Sequence, residues 1–358
     1  MTDKYLLTSN PMFRLSLSSL ELFHSNFLAY LFDIDKRAFL ACFGMEGLPE
    51  DLDNYTLERE FCLGKDNGHN VVTDIAILKK GKRKADIERI LIIENKIKSY
   101  PNHLQLKQQS NLSGNAKRTL LTLFKAEEVC NGTGFCQLLY SDLAKAIREH
   151  YPSENIYCKD YADYIDILSA EANKLDIDIT RTFKFIDYSS KEDLSEIGMA
   201  DAYLKYYASA LQIYLLNNLP IQTNATNGVT YRNKPVITSW GFSNKKSSVT
   251  IFLKLSEELS AGVQIQGDDF RICFDGNAIR KIYKGRQEPS IPEEISYVWK
   301  ELDAKIGTSK KRSIGCCTYG DDFIYKYRKI DPKEKMASDI VDDVRSALNL
   351  IAKTNFEL

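Results

Sequence analysis

Leu91-Ile92-Ile93-Glu94-Asn95-Lys96-Ile97 is an apolar strand pattern broken by a carboxylate and an ammonium two residues apart. Strand alternation places Ile92, Glu94 and Lys96 on one face. Charges set into such a run are costly unless they meet partners or a metal ion. A second strand pattern, Val71 to Leu78, lies just upstream with Asp74 inside it. Asp74, Glu94 and Lys96 are therefore read as one site. An exposed surface strand is the rival reading, but it would leave Ile92 in water beside the two charges.

Working outward, Leu15 to Phe32 carries Leu20, Phe23, Phe27 and Leu31 at the spacing of one buried helix face, with a short helix expected near Lys36 to Phe43. Tyr55 to Leu63, Asn70 to Leu78 and Ile90 to Ile97 read as strands, separated by Asp66-Asn67-Gly68 and by Lys79-Lys80-Gly81-Lys82. Pro101 opens a helix to about Leu112, Thr119 to Phe124 and Phe135 to Tyr140 read as strands, and Ser141 is a candidate cap for a helix from Leu143 to His150. Residues 1–155 are thus expected to form an α/β core. Residues 156–225 read as helical, with Tyr157, Tyr161, Tyr164, Ile165 and Leu168 at core-like spacing and a long segment from Leu194 to Leu219. Residues 226–358 follow the polar break Asn224 to Gly228 and read as β-rich, through Val249 to Leu255, Gly262 to Gln266 and Phe270 to Phe274. A closing helix to about Leu350 is expected after the cap Asp331-Pro332-Lys333-Glu334.

The 358 residues carry a formal net charge of -1, so contact with nucleic acid must come from local patches and not from overall charge. Candidate patches are Lys79-Lys80-Gly81-Lys82-Arg83-Lys84, Lys310-Lys311-Arg312 and Tyr325-Lys326-Tyr327-Arg328-Lys329. Eight cysteines with no CxxC spacing suit reduced thiols in the cytoplasm. No apolar run approaches the roughly 18 residues of a membrane span, and the start lacks a signal-peptide pattern, so a soluble protein with no membrane partner is expected.

Hydrolysing a phosphodiester needs charge on the transferring phosphoryl group and an activated water, and a divalent cation supplies both. Asp74 and Glu94 on neighbouring strands are candidate ligands for Mg²⁺ or Mn²⁺, with the Asn95 carbonyl as a further one. Lys96 is placed to orient the attacking water, or to deprotonate it if burial lowers its pKa.

Asp74, nineteen intervening residues and then Glu94-Asn95-Lys96 resemble the PD-(D/E)xK nuclease superfamily. Upstream, Glu21-Leu22-Phe23-His24-Ser25-Asn26-Phe27-Leu28-Ala29 resembles the helical motif of an uncharacterised prokaryotic branch in which a glutamate and a His-Ser pair precede the core. Downstream, Gln105-Leu106 sits where that branch and exonuclease-type members carry a helical glutamine. The resemblance covers about the first 155 residues and implies a restriction-endonuclease-like core, a mixed sheet flanked by helices. It implies Asp74 and Glu94 as metal ligands, Lys96 as the catalytic lysine, Gln105 as an organiser and Glu60 as completing the acidic cluster. Two departures stand out. Asn70-Val71-Val72-Thr73 lacks the arginine often found before the aspartate, and Gln109 stands where exonuclease-type members have tyrosine.

Glu21 has a second reading as the far end of a capping box with Ser18. His24, one turn on, either reaches the site or is a satisfied core histidine. Asp268-Asp269 and Asp321-Asp322 are weaker metal candidates, since adjacent strand residues face opposite ways. The sequence thus points to a metal-dependent nuclease acting on nucleic acid, with DNA favoured. The alternative is a catalytically silent nuclease-fold module that binds nucleic acid or a protein. The C-terminal region is assigned to substrate recognition or homo-oligomer formation.

Overall fold

A computed structural model describes residues 6–7, 9–16, 20–81, 87–97, 99–173, 194–224, 228–243, 246–283, 291–306, 316–330 and 336–357. The Ser18 cap, the basic run beyond Gly81, Lys310-Lys311-Arg312 and the Asp331-Pro332-Lys333-Glu334 cap lie outside the described residues. The described residues fall into two compact units, one within Met1–Asp176 and Asp193–Ala202, the other within Ile177–Glu192 and Tyr203–Leu358. No helix among them is long and apolar enough to cross a membrane.

The first unit runs α1 (Pro11–Ser16), α2 (Leu20–Ile34), α3 (Lys36–Cys42), β1 (Tyr55–Asp66), β2 (His69–Lys80), β3 (Ile87–Lys96), α4 (His103–Leu112), β4 (Lys117–Thr122), α5 (Glu127–Cys130), β5 (Cys136–Leu139), α6 (Tyr140–His150) and α7 (Ile156–Asn173). Asn67 and Gly68, both at positive φ (49° and 84°), make the two-residue turn that pairs Asp66 with His69 and sets the β1–β2 register. The strands lie in the order β1-β2-β3-β4-β5. The first two pairings are antiparallel, whereas β3–β4 and β4–β5 are parallel, so the sheet is mixed. A parallel pair needs a crossover, and α4 is the one between β3 and β4. The α/β class expected from the sequence is the class observed.

Local details differ from expectation for physical reasons. The deepest line on α2 is His24, Leu28, Leu31 and Phe32, one residue round from the expected stripe; Phe23 and Phe27 are only half-buried and line a shallow apolar pocket with Met12, Leu15, Tyr30 and Tyr157. That rotation turns Glu21 and Ser25 towards β3. Ser141 caps nothing: α6 starts at Tyr140, its N-cap is Leu139, and no side chain bonds the first turn. Tyr161 and Tyr164 on α7 are fully buried, as core-like spacing requires, while Tyr157 is exposed.

The second unit holds most of α8 (Ala200–Asn218), then β6 (Gln222–Asn224), β7 (Gly228–Tyr231), β8 (Lys234–Ser243), β9 (Lys246–Lys254), β10 (Ser260–Gln266), β11 (Asp269–Asp275), α9 (Asn277–Tyr283), α10 (Glu293–Ile306), β12 (Cys317–Tyr319), β13 (Phe323–Lys329) and α11 (Ala337–Lys353). The helical stretch expected between residues 156 and 225 is therefore divided, with α7 in the first unit and most of α8 in the second. One antiparallel sheet, ordered β12-β13-β11-β10-β9-β8-β7-β6, packs one face against α8, α10 and α11. Val263, Ile272 and Phe274 meet Leu211, Trp299, Val344 and Leu348 there. Each such side chain contributes roughly 1.5–3 kcal/mol of burial. Gly262 is required on β10, because a Cβ would stand 2.1 Å from the Ile251 carbonyl oxygen.

The Tyr325 to Lys329 run does not form one basic patch. Alternation along β13 sends Lys326 over the Trp299 ring, 5.3 Å from its centroid, and buries Arg328 against Asp343 on the helix-covered face. Tyr325 lies on the other face, with the Arg271 guanidinium 4.6 Å from its ring centroid. Arg328→Ala is expected to lower stability by about 1–3 kcal/mol, because the buried guanidinium loses its packing over Phe270 and the half-buried Asp343 loses a charge-assisted hydrogen bond. Removing Asp343 as well should recover the hydrogen-bond share of that loss in urea unfolding. A single variant as stable as wild type would show that the pair contributes nothing.

Candidate active site

The β2–β3 ladder ends at Ile75↔Ile93, and the next residues in register are Asp74 and Glu94. Past that point side chains take over from the main chain: the Asn95 N–H donates to Asp74 Oδ2 at 2.7 Å, and Thr73 Oγ1 donates to the Ile93 carbonyl at 3.1 Å. The two carboxylates therefore stand side by side at the carboxyl end of β3, the end at which open α/β sheets place their ligands.

Glu94 is 1% exposed, and Ile92 on its face is fully buried, so β3 is a covered strand and not a surface ribbon. Three donors meet the Glu94 carboxylate. Lys96 Nζ and Gln105 Nε2 each lie 2.7 Å from Oε1, and Gln109 Nε2 lies 2.6 Å from Oε2. Asn102 caps α4 by accepting from the Leu104 and Gln105 N–H groups, which fixes the helix start and hence the face that meets Glu94. Residues four apart share a helix face, so Gln105 and Gln109 arrive together.

Gln109 is a site residue that the sequence reading passed over as a missing tyrosine; its spacing from Gln105 was the available signal. Its Nε2 also donates to the Val72 carbonyl at 2.8 Å, while its Oε1 is buried with no partner among the described residues. An orphaned acceptor of this kind costs about 1–3 kcal/mol. An apolar residue would not carry that cost.

Asn95 ties the site to the helices. Its side chain donates to Ser25 Oγ at 3.2 Å and to the Glu21 carbonyl at 3.3 Å, and accepts from the Tyr140 hydroxyl at 2.6 Å. The side chain is thus committed to structure, and what Asn95 gives the site is its main-chain N–H on Asp74. Glu21 accepts from Ser99 Oγ and acts electrostatically on both Asp74 and Lys96. It adds a third carboxylate charge near the pair without making a three-ligand metal group with it.

Glu60 does not fill that role. It lies between the Arg59↔Ile75 and Phe61↔Thr73 pairs, across from Asp74, but its side chain is exposed and its φ of 49° marks a local break in β1. His24 turns into the helical core: it is fully buried, with Nδ1 2.9 Å from the Tyr161 hydroxyl and Nε2 3.3 Å from that of Tyr164. The Glu21-x-x-His24-Ser25 pattern therefore divides its work. Glu21 faces the charges, Ser25 holds Asn95 and His24 anchors the helix in a tyrosine-lined core.

Burial, and after it the neighbouring Glu94, pushes the Asp74 carboxyl up to about 7. For Lys96, burial works to lower the pKa, but the Glu94 and Asp74 carboxylates outweigh it and the net shift is upward. The condition for Lys96 to take a proton from water, a lowered pKa, is thus not met, because its neighbours are anions. Lys96 is an ammonium here, suited to stabilising negative charge and not to taking a proton. When all three carboxylates are ionised they face one ammonium among the described residues, an excess of two negative charges that the raised Asp74 carboxyl resists by keeping its proton.

That excess matches one divalent cation, and the donor set is hard oxygen. Asp74 Oδ1 takes no hydrogen bond from the described residues, and Glu94 Oε2 takes one. Such a pair fits an ion that keeps several waters, as Mg²⁺ does. No group of three His, Cys, Asp or Glu side chains able to hold a metal occurs among the described residues. The chain matches no protein-family model, no curated protein and no solved structure.

Proposed function

We propose that the first unit is a metal-dependent nuclease of the PD-(D/E)xK type, with a restriction-endonuclease-like core, that hydrolyses phosphodiester bonds of nucleic acid, DNA being the favoured substrate. The observation that carries this reading is the placement of Asp74 and Glu94 in register at a strand end, with Glu21 near them and the Lys96 ammonium against Glu94. Buried carboxylates are not placed together at a strand end for stability, since they repel. Asp74 and Glu94 would hold Mg²⁺ or Mn²⁺, which when bound supplies charge to the phosphoryl oxygens and acidifies a coordinated water. Lys96, with its side chain 14% exposed, is positioned to place its ammonium against the developing charge on phosphorus-bound oxygen. Gln105 and Gln109 hold Glu94 in orientation for that work.

A second reading, a catalytically silent module that binds nucleic acid or a protein, is favoured by the lack of a third metal-type side chain converging on the pair among the described residues. Cleavage of single- and double-stranded DNA and RNA, assayed with EDTA, Mg²⁺ or Mn²⁺, separates the two. Metal-dependent cleavage that disappears in Asp74→Asn supports the nuclease. Binding without cleavage across the whole panel supports the silent module.

A further inference from the structure

Gln109 enters the site outside the Asp74…Glu94-x-Lys96 pattern and the single helical glutamine that goes with it. A carboxylate offers about four acceptor positions on its two oxygens. On Glu94, Lys96 Nζ and Gln105 Nε2, both at 2.7 Å, occupy the two positions of Oε1, and Gln109 Nε2, at 2.6 Å, occupies one of Oε2. A single position on Oε2 is left. The same Gln109 Nε2 is held by the Val72 carbonyl at 2.8 Å, so the carboxylate cannot turn without breaking bonds on both oxygens. Both neighbours of that nitrogen are acceptors, which fixes the amide orientation and leaves Oε1 as the unpartnered atom.

We propose that Gln105, which with Lys96 fills Oε1, and Gln109, which keeps the carboxylate from turning, are positioning residues that restrict Glu94 to single-oxygen coordination and thereby make the site select magnesium-sized cations over calcium. The proposal rests on the metal-dependent reading above. Ca²⁺ collects six to eight oxygens at longer distances and commonly takes carboxylates through both oxygens, whereas Mg²⁺ holds a tight octahedron completed by water. A carboxylate with one acceptor position free serves the second ion and starves the first. Orienting partners of this kind are where metal affinity and choice are tuned.

The test is competition between Ca²⁺ and Mn²⁺ on the full chain stripped with EDTA, read by the electron paramagnetic resonance of free Mn²⁺. For wild type, Ca²⁺ should displace Mn²⁺ only in large excess. Gln109→Met keeps the volume, removes the donor and frees the carboxylate to turn both oxygens towards an ion, and the ratio of Ca²⁺ to Mn²⁺ affinity should rise about tenfold or more. Gln105→Met, at a half-buried position on the same helix, should shift the ratio the same way and serves if the buried variant does not fold. A role in packing alone would lower thermal stability and leave the ratio unchanged. Wild type that binds Mn²⁺, with folded variants at the wild-type ratio, overturns this proposal. Wild type that binds no Mn²⁺ overturns the metal-dependent reading beneath it.

Discussion

In EDTA, Asp74→Asn is expected to be more stable than wild type at pH 8 and nearly equal to it at pH 4. Unfolded, an aspartate loses its proton near pH 4, whereas the folded Asp74 keeps it up to about 7. Between those values the native state binds more protons than the unfolded one, so wild-type stability falls as pH rises through the window. The loss should be roughly 2–4 kcal/mol, an order-of-magnitude figure for one buried carboxylate. Asparagine has no proton to lose and removes the effect. Divalent cation does the reverse: Mn²⁺ should raise the wild-type melting temperature at pH 8, release a proton on binding near neutral pH, and do neither in the variant. Thermal melts at the two pH values, with and without Mn²⁺, decide the matter. If wild type and variant keep a constant difference across pH, the Asp74 carboxyl is not raised by its burial and by Glu94.

Lys96→Gln should reduce cleavage by about 10²–10³-fold, the loss typical when one preorganised charge stabiliser is removed. Glutamine keeps a donor within reach of Glu94, so the fold and Mn²⁺ binding should survive within a few fold. The choice matters, because Glu94 is nearly inaccessible to water and a bare hydrocarbon beside it would confuse catalysis with stability. Single-turnover cleavage, with Mn²⁺ binding measured alongside, separates the two effects. Unchanged cleavage would falsify the role assigned to the lysine.

The strands of the first unit were readable because both of their signals are local: period-two alternation, and turn residues such as Asn67-Gly68 that admit positive φ. Asp74, Glu94, Lys96 and Gln105 converge because a hairpin register and one crossover helix suffice to bring them together. What escaped depends on which surface is covered. Alternation assigns Lys326 and Arg328 to one face but does not say that helices lie over it. The same blindness shifted the buried stripe of α2 by one residue and favoured Glu60 over Glu21 for the third carboxylate. Gln109 escapes a motif reading for a different reason: it departs from the tyrosine of exonuclease-type members, and only its spacing from Gln105 on one helix places it against Glu94.

Where the β2–β3 ladder stops, the Asn95 amide ends in a carboxylate and not in a carbonyl. A main-chain proton whose acceptor titrates, or is drawn towards a cation, carries a record of that event in its chemical shift and its exchange rate with solvent. The Asn95 amide is thus a spectroscopic probe already installed in the site. It reads the charge on Asp74 with no substrate present and no residue replaced.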